Sequence, residues 1–144
     1  MRGKAVTGNI DCAPTMLALA GVSIPDNIDG RSLVPLLENP DQDVRDHMAC
    51  MNCWGEDPIQ AMTVVTKRWK YTYWWYSDDR MEASEDLFDT ENDPLELVNL
   101  VDNPAFADAL QEMRLKYDAE HALLKANAVP YNDYAIYKTR FERK

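Results

Sequence analysis

No stretch of the 144 residues reaches 18 consecutive apolar positions, so no membrane-spanning helix is expected. The longest uncharged apolar stretch starts near Cys12 and stops at Gly21. It lacks the basic, apolar, small-residue order of a signal peptide, so nothing in the chain assigns a compartment. Cysteine is scarce and odd in number: Cys12, Cys50 and Cys53 exclude a disulfide framework. The two histidines, His47 and His121, stand near no Ser, Cys and Asp set that would form a triad. Neither sits at finger spacing from Cys50-Met51-Asn52-Cys53, so no zinc site is expected. A redox pair belongs at a helix N-terminus, whereas this pair falls in a strand-like run and reads as buried, inert thiols.

Positive charge is also short. Lys and Arg number 15 against 25 Asp and Glu, a net charge of −10. Phosphate backbones and anionic lipid repel such a chain, which argues against nucleic-acid and membrane-surface partners. The balance reverses in the tail, where Lys138, Arg140, Arg143 and Lys144 face only Asp133 and Glu142. That end reads as a solvated terminus, the alternative being contact with the body of the protein or a partner. Neither internal repeats nor low-complexity segments are visible.

What is present reads as an ordinary globular chain, long enough for one core. Asp11 is placed to N-cap a helix over Cys12–Ala20, with Pro14 in its first turn, Met16, Leu17 and Ala20 on its apolar face, and Gly21 closing it. Residues 24–30 form a loop, and Ser32 caps a tight turn holding Leu33, Leu36 and Leu37. Strands are expected at His47–Cys53 and Gln60–Thr66. Lys67-Arg68 turns the chain into Trp69–Tyr76, followed by a short edge strand at Glu85–Asp89. In the third strand Trp69, Tyr71, Tyr73 and Trp75 share one face, and Lys70, Thr72, Trp74 and Tyr76 the other. Its aromatic density suits a nucleic-acid platform until the following acids Asp78, Asp79, Glu82 and Glu85 are counted; a helix-covered sheet fits better. Asn103 and Pro104 open a long helix whose apolar stripe is Phe106, Leu110, Met113, Tyr117, His121, Leu124 and Ala128. Strands followed by one long helix predict an α+β fold, a small antiparallel sheet packed against that helix.

Three stretches resemble landmarks of the C-terminal half of sulfatases. They are residues 11–21 (DCAPTMLALAG), residues 28–37 (IDGRSLVPLL) and residues 85–100 (EDLFDTENDPLELVNL), with Lys67-Arg68-Trp69-Lys70-Tyr71 resembling the strand before the third. Their order and spacing over residues 10–100 carry the resemblance. It implies an alkaline-phosphatase-like α/β fold for a whole enzyme. Residues 1–45 would then be the end of its catalytic domain, and 46–144 a C-terminal subdomain of sheet, long helix and basic tail. It also implies formylglycine, made from the cysteine of a Cys-x-Pro-Ser-x-Arg-like motif, and calcium held by acidic residues and an Asn. No such cassette occurs in these residues, so no catalytic or metal residue carries over, and the chain is expected to hold no cofactor and to be inactive alone. Cys12-Ala13-Pro14-Thr15-Met16 approaches the oxidisable motif but has methionine where the chemistry needs arginine.

Three residues are substrate-binding candidates. Arg31, in Asp29-Gly30-Arg31-Ser32, could bind a sulfate or pin the loop through carbonyls. Trp54 could stack on a sugar ring and Glu56 could bond its hydroxyls, in a loop that the resemblance places toward the catalytic domain. The expected partner is that catalytic domain, or a second copy through residues 12–20, whose apolar face lacks cover. Competing readings are a stand-alone binding module of the same fold, and part of a phospho- or phosphonate ester or sulfamate hydrolase.

Overall fold

A computed structural model describes residues 5–53, 58–77, 81–127 and 133–143, leaving aside the side chains of 133 and 134. The chain forms two compact units, residues 1–48 and 49–144.

In the first unit a 3-10 turn, Asn9–Asp11, leads into α1 (Cys12–Leu19), and α2 spans Val34–Glu38. Gly21, at φ 70°, closes α1. Its N–H donates to Ala18 O at 3.1 Å and that of Val22 to Leu17 O at 2.9 Å, the paired bonds of a Schellman ending. The expected side-chain cap by Asp11 does not form, because that carboxylate is turned away from α1 and used elsewhere in the unit. Ser32 Oγ does accept the Val34 N–H, at 3.3 Å, as the chain enters α2. The side chains of α1 are thinly covered: Pro14 is buried, whereas Met16 is 69% and Leu19 64% exposed.

The second unit is built on a four-stranded sheet in the order β1 (His47–Asn52), β2 (Ile59–Thr66), β3 (Trp69–Tyr76), β4 (Ser84–Asp89). β2 and β3 pair antiparallel from Ile59↔Tyr76 to Val65↔Lys70, and β3 and β4 from Trp69↔Asp89 to Trp74↔Ser84. Thr66 Oγ1 tightens the β2–β3 turn by accepting the N–H groups of Arg68 and Trp69. This register sorts the aromatics as the alternation predicts. Tyr71 and Tyr73 are buried on one face and meet Tyr117 edge-on at 5.4 and 6.0 Å. On the other face Thr63 and Thr72 share a cross-strand hydrogen bond of 2.9 Å.

The helix that supplies Tyr117 is α3 (Ala107–Asn127), preceded by a 3-10 turn at Pro104–Phe106 that Asn103 caps by accepting the Ala105 N–H at 3.0 Å. Leu110, Met113, Tyr117 and His121 are buried along its stripe. Phe106 and Leu124 pack beside them, and Ala128 lies outside the described residues. With Met62, Val64 and Leu87 from the sheet they form one core.

Two expectations need correction. The basic tail is not a solvated terminus. α4 (Tyr137–Arg140) and the residues after it fold back, burying Tyr137 and Phe141 in the core. Tyr117 donates its hydroxyl to Phe141 O at 2.8 Å, and His121 Nε2 bonds Lys138 O at 2.9 Å. Arg140 lies 4.3 Å over the Trp75 ring and donates to Gln60 Oε1 at 2.9 Å. Arg140 and Arg143 stay because each meets an acceptor or ring that α3 and the sheet hold ready. Nor are the cysteines a buried pair. Cys50, on the outermost strand, is exposed and Cys53 is half-buried. Partial desolvation still raises both thiols above their usual range, so they stay protonated at neutral pH.

Candidate functional site

Each unit holds a carboxylate surrounded by several donors, and those donors decide what chemistry it can do. In the first unit Asp11 is completely buried. Arg45 grips it at 2.5 and 2.6 Å, the Arg31 backbone N–H donates at 2.8 Å and that of Gly8 at 2.9 Å. Thr15 Oγ1 donates to Asp11 O at 2.6 Å and accepts the Leu33 N–H at 2.8 Å, so the start of α1 holds the loop before α2 through two residues. The Arg45 hydrogen bonds, opposed by burial, bring the Asp11 carboxyl down to about 2. An ionised carboxylate with its lone pairs filled by donors is a structural anchor and a poor proton acceptor.

A pH dependence follows. The folded unit binds the Asp11 proton less readily than the unfolded chain, whose carboxyl titrates near 3.8. The stabilisation, on the order of 2 kcal/mol, is therefore complete above about pH 4 and lost as the pH falls toward 2. Protection factors for amides of residues 9–22 should drop between about pH 5 and pH 2.5 in the parent, and stay low and flat in Asp11→Asn. A parent profile as flat as that of the variant would show that Asp11 titrates normally.

In the second unit Glu85 has the corresponding place. It accepts from the Tyr71 hydroxyl and Arg114, and from Arg143 Nη1 at 3.0 Å, while Arg143 also forks onto Asp118 with both bonds at 2.9 Å. Burial first, then the bond to Glu85, pushes the Tyr71 phenol far above its usual range. This network too holds structure. A third, at the β2–β3 turn, joins Arg68 to Asp89 through three contacts of 2.7–3.2 Å and keeps that carboxylate well below its ordinary range.

Of the three expected binding residues, Arg31 lies among the described residues. Arg31 donates through Nη1 to Val44 O, which pins its loop. Trp54 and Glu56 lie outside the described residues. Cys12 is exposed at the first position of α1, with Asp11 committed to Arg45 and Met16 projecting to solvent, an environment that does not fit a formylglycine site. Among the described residues no group of three or more His, Cys, Asp or Glu side chains converges on a point where calcium would sit. No helix among them is long and apolar enough to cross a membrane.

Among the described residues an open cavity of about 890 Å³ lies where β3 ends and β4 begins. Trp75, Tyr76, Glu82, Asp86 and Asp102 are among the residues that line it. The linear sequence pointed to Trp75 and Tyr76 only as sheet aromatics. The antiparallel register and the crossing of α3 are what bring Asp102 and Arg114 beside them.

An antiparallel four-stranded sheet packed against one long helix, with ion-paired staples, is an α+β unit. Comparison with known proteins gives its family. Residues 2–136 match the family described as N-sulphoglucosamine sulphohydrolase, C-terminal, and the chain belongs to it. It is 35% identical over 104 residues to an arylsulfatase of Clostridium perfringens, covering 72% of this chain and 20% of that protein. It is 32% identical over 147 residues to arylsulfatase K of Xenopus laevis, covering 94% and 26%. A solved 2-O GAG sulfatase superposes with a TM-score of 0.66 at 26% identity, over 78% of this chain and 24% of that one. The chain thus spans between a fifth and about a quarter of the curated relatives it matches.

Proposed function

We propose that the chain is the C-terminal part of a sulfuric ester hydrolase, which supports a catalytic domain and is inactive alone. The observation that carries this reading is the family match over residues 2–136, set beside carboxylates that are all engaged in structural pairing at the centre of each unit. In the whole protein, formylglycine and calcium would belong to the catalytic domain. Arg31, Trp54 and Glu56 are proposed to shape the substrate pocket from this side. The exposed Met16, Leu19 and Val22 support a docking role for the first unit, since they form an uncovered apolar surface at α1. The catalytic domain is the occupant proposed; in its absence a second copy would take the place.

The test is turnover of 4-nitrophenyl sulfate by the purified 144-residue chain and by a longer product translated from the reading frame upstream of Met1. The expected outcome is activity in the longer product alone, with an unmodified thiol at Cys12 by mass spectrometry of the short one. Turnover that purifies with the short chain and disappears in Cys12→Ala would overturn the reading. So would an upstream frame without a Cys-x-Pro-Ser-x-Arg-like cassette.

A further inference from the structure

α3 carries a second apolar stripe, on the side away from the core. Leu115 is 61% and Leu123 55% exposed, and Ala119, Ala122 and Ala126 are exposed with them. Leu115, Ala119, Ala122 and Ala126 follow one another at steps of 4, 3 and 4, so they form one row along the helix, with Leu123 at its side. The row lies opposite the buried Met113, Tyr117 and His121. The outward face of a helix that covers a sheet ordinarily carries charge, and this row carries none.

The charges that border the row say what fits it. On one side Lys116 stands between Glu112, at 3.8 Å, and Glu120 four positions on. On the other side Arg143 forks onto Asp118 with both bonds at 2.9 Å, and Lys125 holds Glu142 at 3.1 Å. The chain as a whole has a net charge of −10, yet beside this row the signs alternate or are matched. A partner of a single charge sign finds no complement in such a border. A partner with the same alternating order, laid in the opposite direction, does.

We propose that α3 docks on the α3 of a second copy of this chain, the two helices antiparallel about a two-fold axis at Ala119. Leu115 of each copy then lies level with Leu123 of the other, and the alanines let the helix axes approach to about 8 Å. At a rise of about 1.5 Å per residue, Lys116 comes within about 3 Å, along the axis, of Glu120 in the second copy, and the two-fold repeats that pair. A parallel arrangement would set Lys116 against Lys116 and Glu120 against Glu120, which is repulsive. The contact uses the same patch on both copies, so it closes at a dimer. It involves no residue of α1 and does not depend on the sulfatase reading.

The experiment is sedimentation velocity of the intact 144-residue chain over a concentration series, with urea unfolding of each variant to show that the fold is kept. The parent should be in monomer–dimer equilibrium with a Kd on the order of 50 µM, as suits a contact below the usual interface size. Leu115→Glu changes an exposed side chain and should weaken the dimer at least about tenfold, since it sets a charge in the apolar row. Lys116→Glu and Glu120→Lys should each weaken it about fivefold, because each puts like charges together twice in the dimer. The double variant Lys116→Glu with Glu120→Lys restores opposite signs and should return within about twofold of the parent. Met16→Lys, on α1, should leave the dimer unchanged. A parent that stays monomeric at about 500 µM, a dimer indifferent to Leu115→Glu, a dimer lost in Met16→Lys, or a double variant no tighter than the singles would overturn the proposal.

Discussion

Leu110→Asp should unfold residues 49–144 in the absence of denaturant, or bring the urea midpoint close to zero. Leu110 is 8% exposed and belongs to the core with Met113, Tyr117 and the sheet residues Met62, Val64 and Leu87. Removing a buried leucine side chain forfeits about 1.5–3 kcal/mol. The carboxylate put in its place must be desolvated, or the helix must lift from the sheet to wet it. A small sheet with one apolar face open is marginal in water, and the total stability of a domain is only about 5–15 kcal/mol. Glu112→Ala is the control. Its side chain is 61% exposed and pairs with Lys116 across one turn at 3.8 Å, so the change should cost about 0.5 kcal/mol or less. Parent and both variants are compared by urea unfolding. A Leu110→Asp midpoint equal to that of the parent would mean that α3 does not cover the sheet.

The first unit should respond as strongly to a smaller change. Gly30→Ala places a Cβ 2.0 Å from Ile10 O and 2.7 Å from its carbonyl carbon, with Pro14 Cγ at 3.1 Å. Two of these three atoms are backbone and cannot rotate aside, so the loop must separate from the turn before α1. The adjoining bond from the Arg31 N–H to Asp11 Oδ1 goes with it. The expected result is loss of hydrogen-exchange protection throughout residues 9–38, equivalent to roughly 3 kcal/mol or more. Gly21→Ala separates the two uses of glycine. Gly21 has the left-handed φ of 70° but open space around its Cβ position, so that variant should cost only about 1 kcal/mol. If exchange is faster in Gly21→Ala than in Gly30→Ala, close packing is not the reason for Gly30.

The stretches that carried the family resemblance turn out to be the staples themselves. Asp11 of the first binds the Arg31 N–H of the second, and Gly30 of the second is pressed on Ile10 just before the first. In the third, Asp93 Oδ2 accepts the Leu97 and Val98 N–H groups, while Asn99 accepts the Leu87 N–H at 3.0 Å and donates to Glu85 O. That run therefore occupies the outer edge of β4, where an open strand would otherwise present unpaired backbone groups. Such residues identify a fold because the backbone depends on them, and for the same reason they say little about catalysis.

The strands, the β2–β3 hairpin, the faces of β3 and the stripe of α3 could all be read from residue order, because periods of two and 3.6 are local properties of the chain. Other features could not. Whether Asp11 caps its own helix or anchors Arg45 depends on where residue 45 returns in space, 34 positions later. The tail docks because Asp118, Glu85 and the Trp75 ring stand where Arg143 and Arg140 arrive, which a charge count along the chain does not contain. The cavity is still less local: its lining comes from the end of β3, the start of β4, the run along its edge, the approach to α3 and α3 itself. Periodicity reports which way a side chain points from its own element. What it meets there is set by the packing of elements distant in sequence, and for that the tertiary structure was needed.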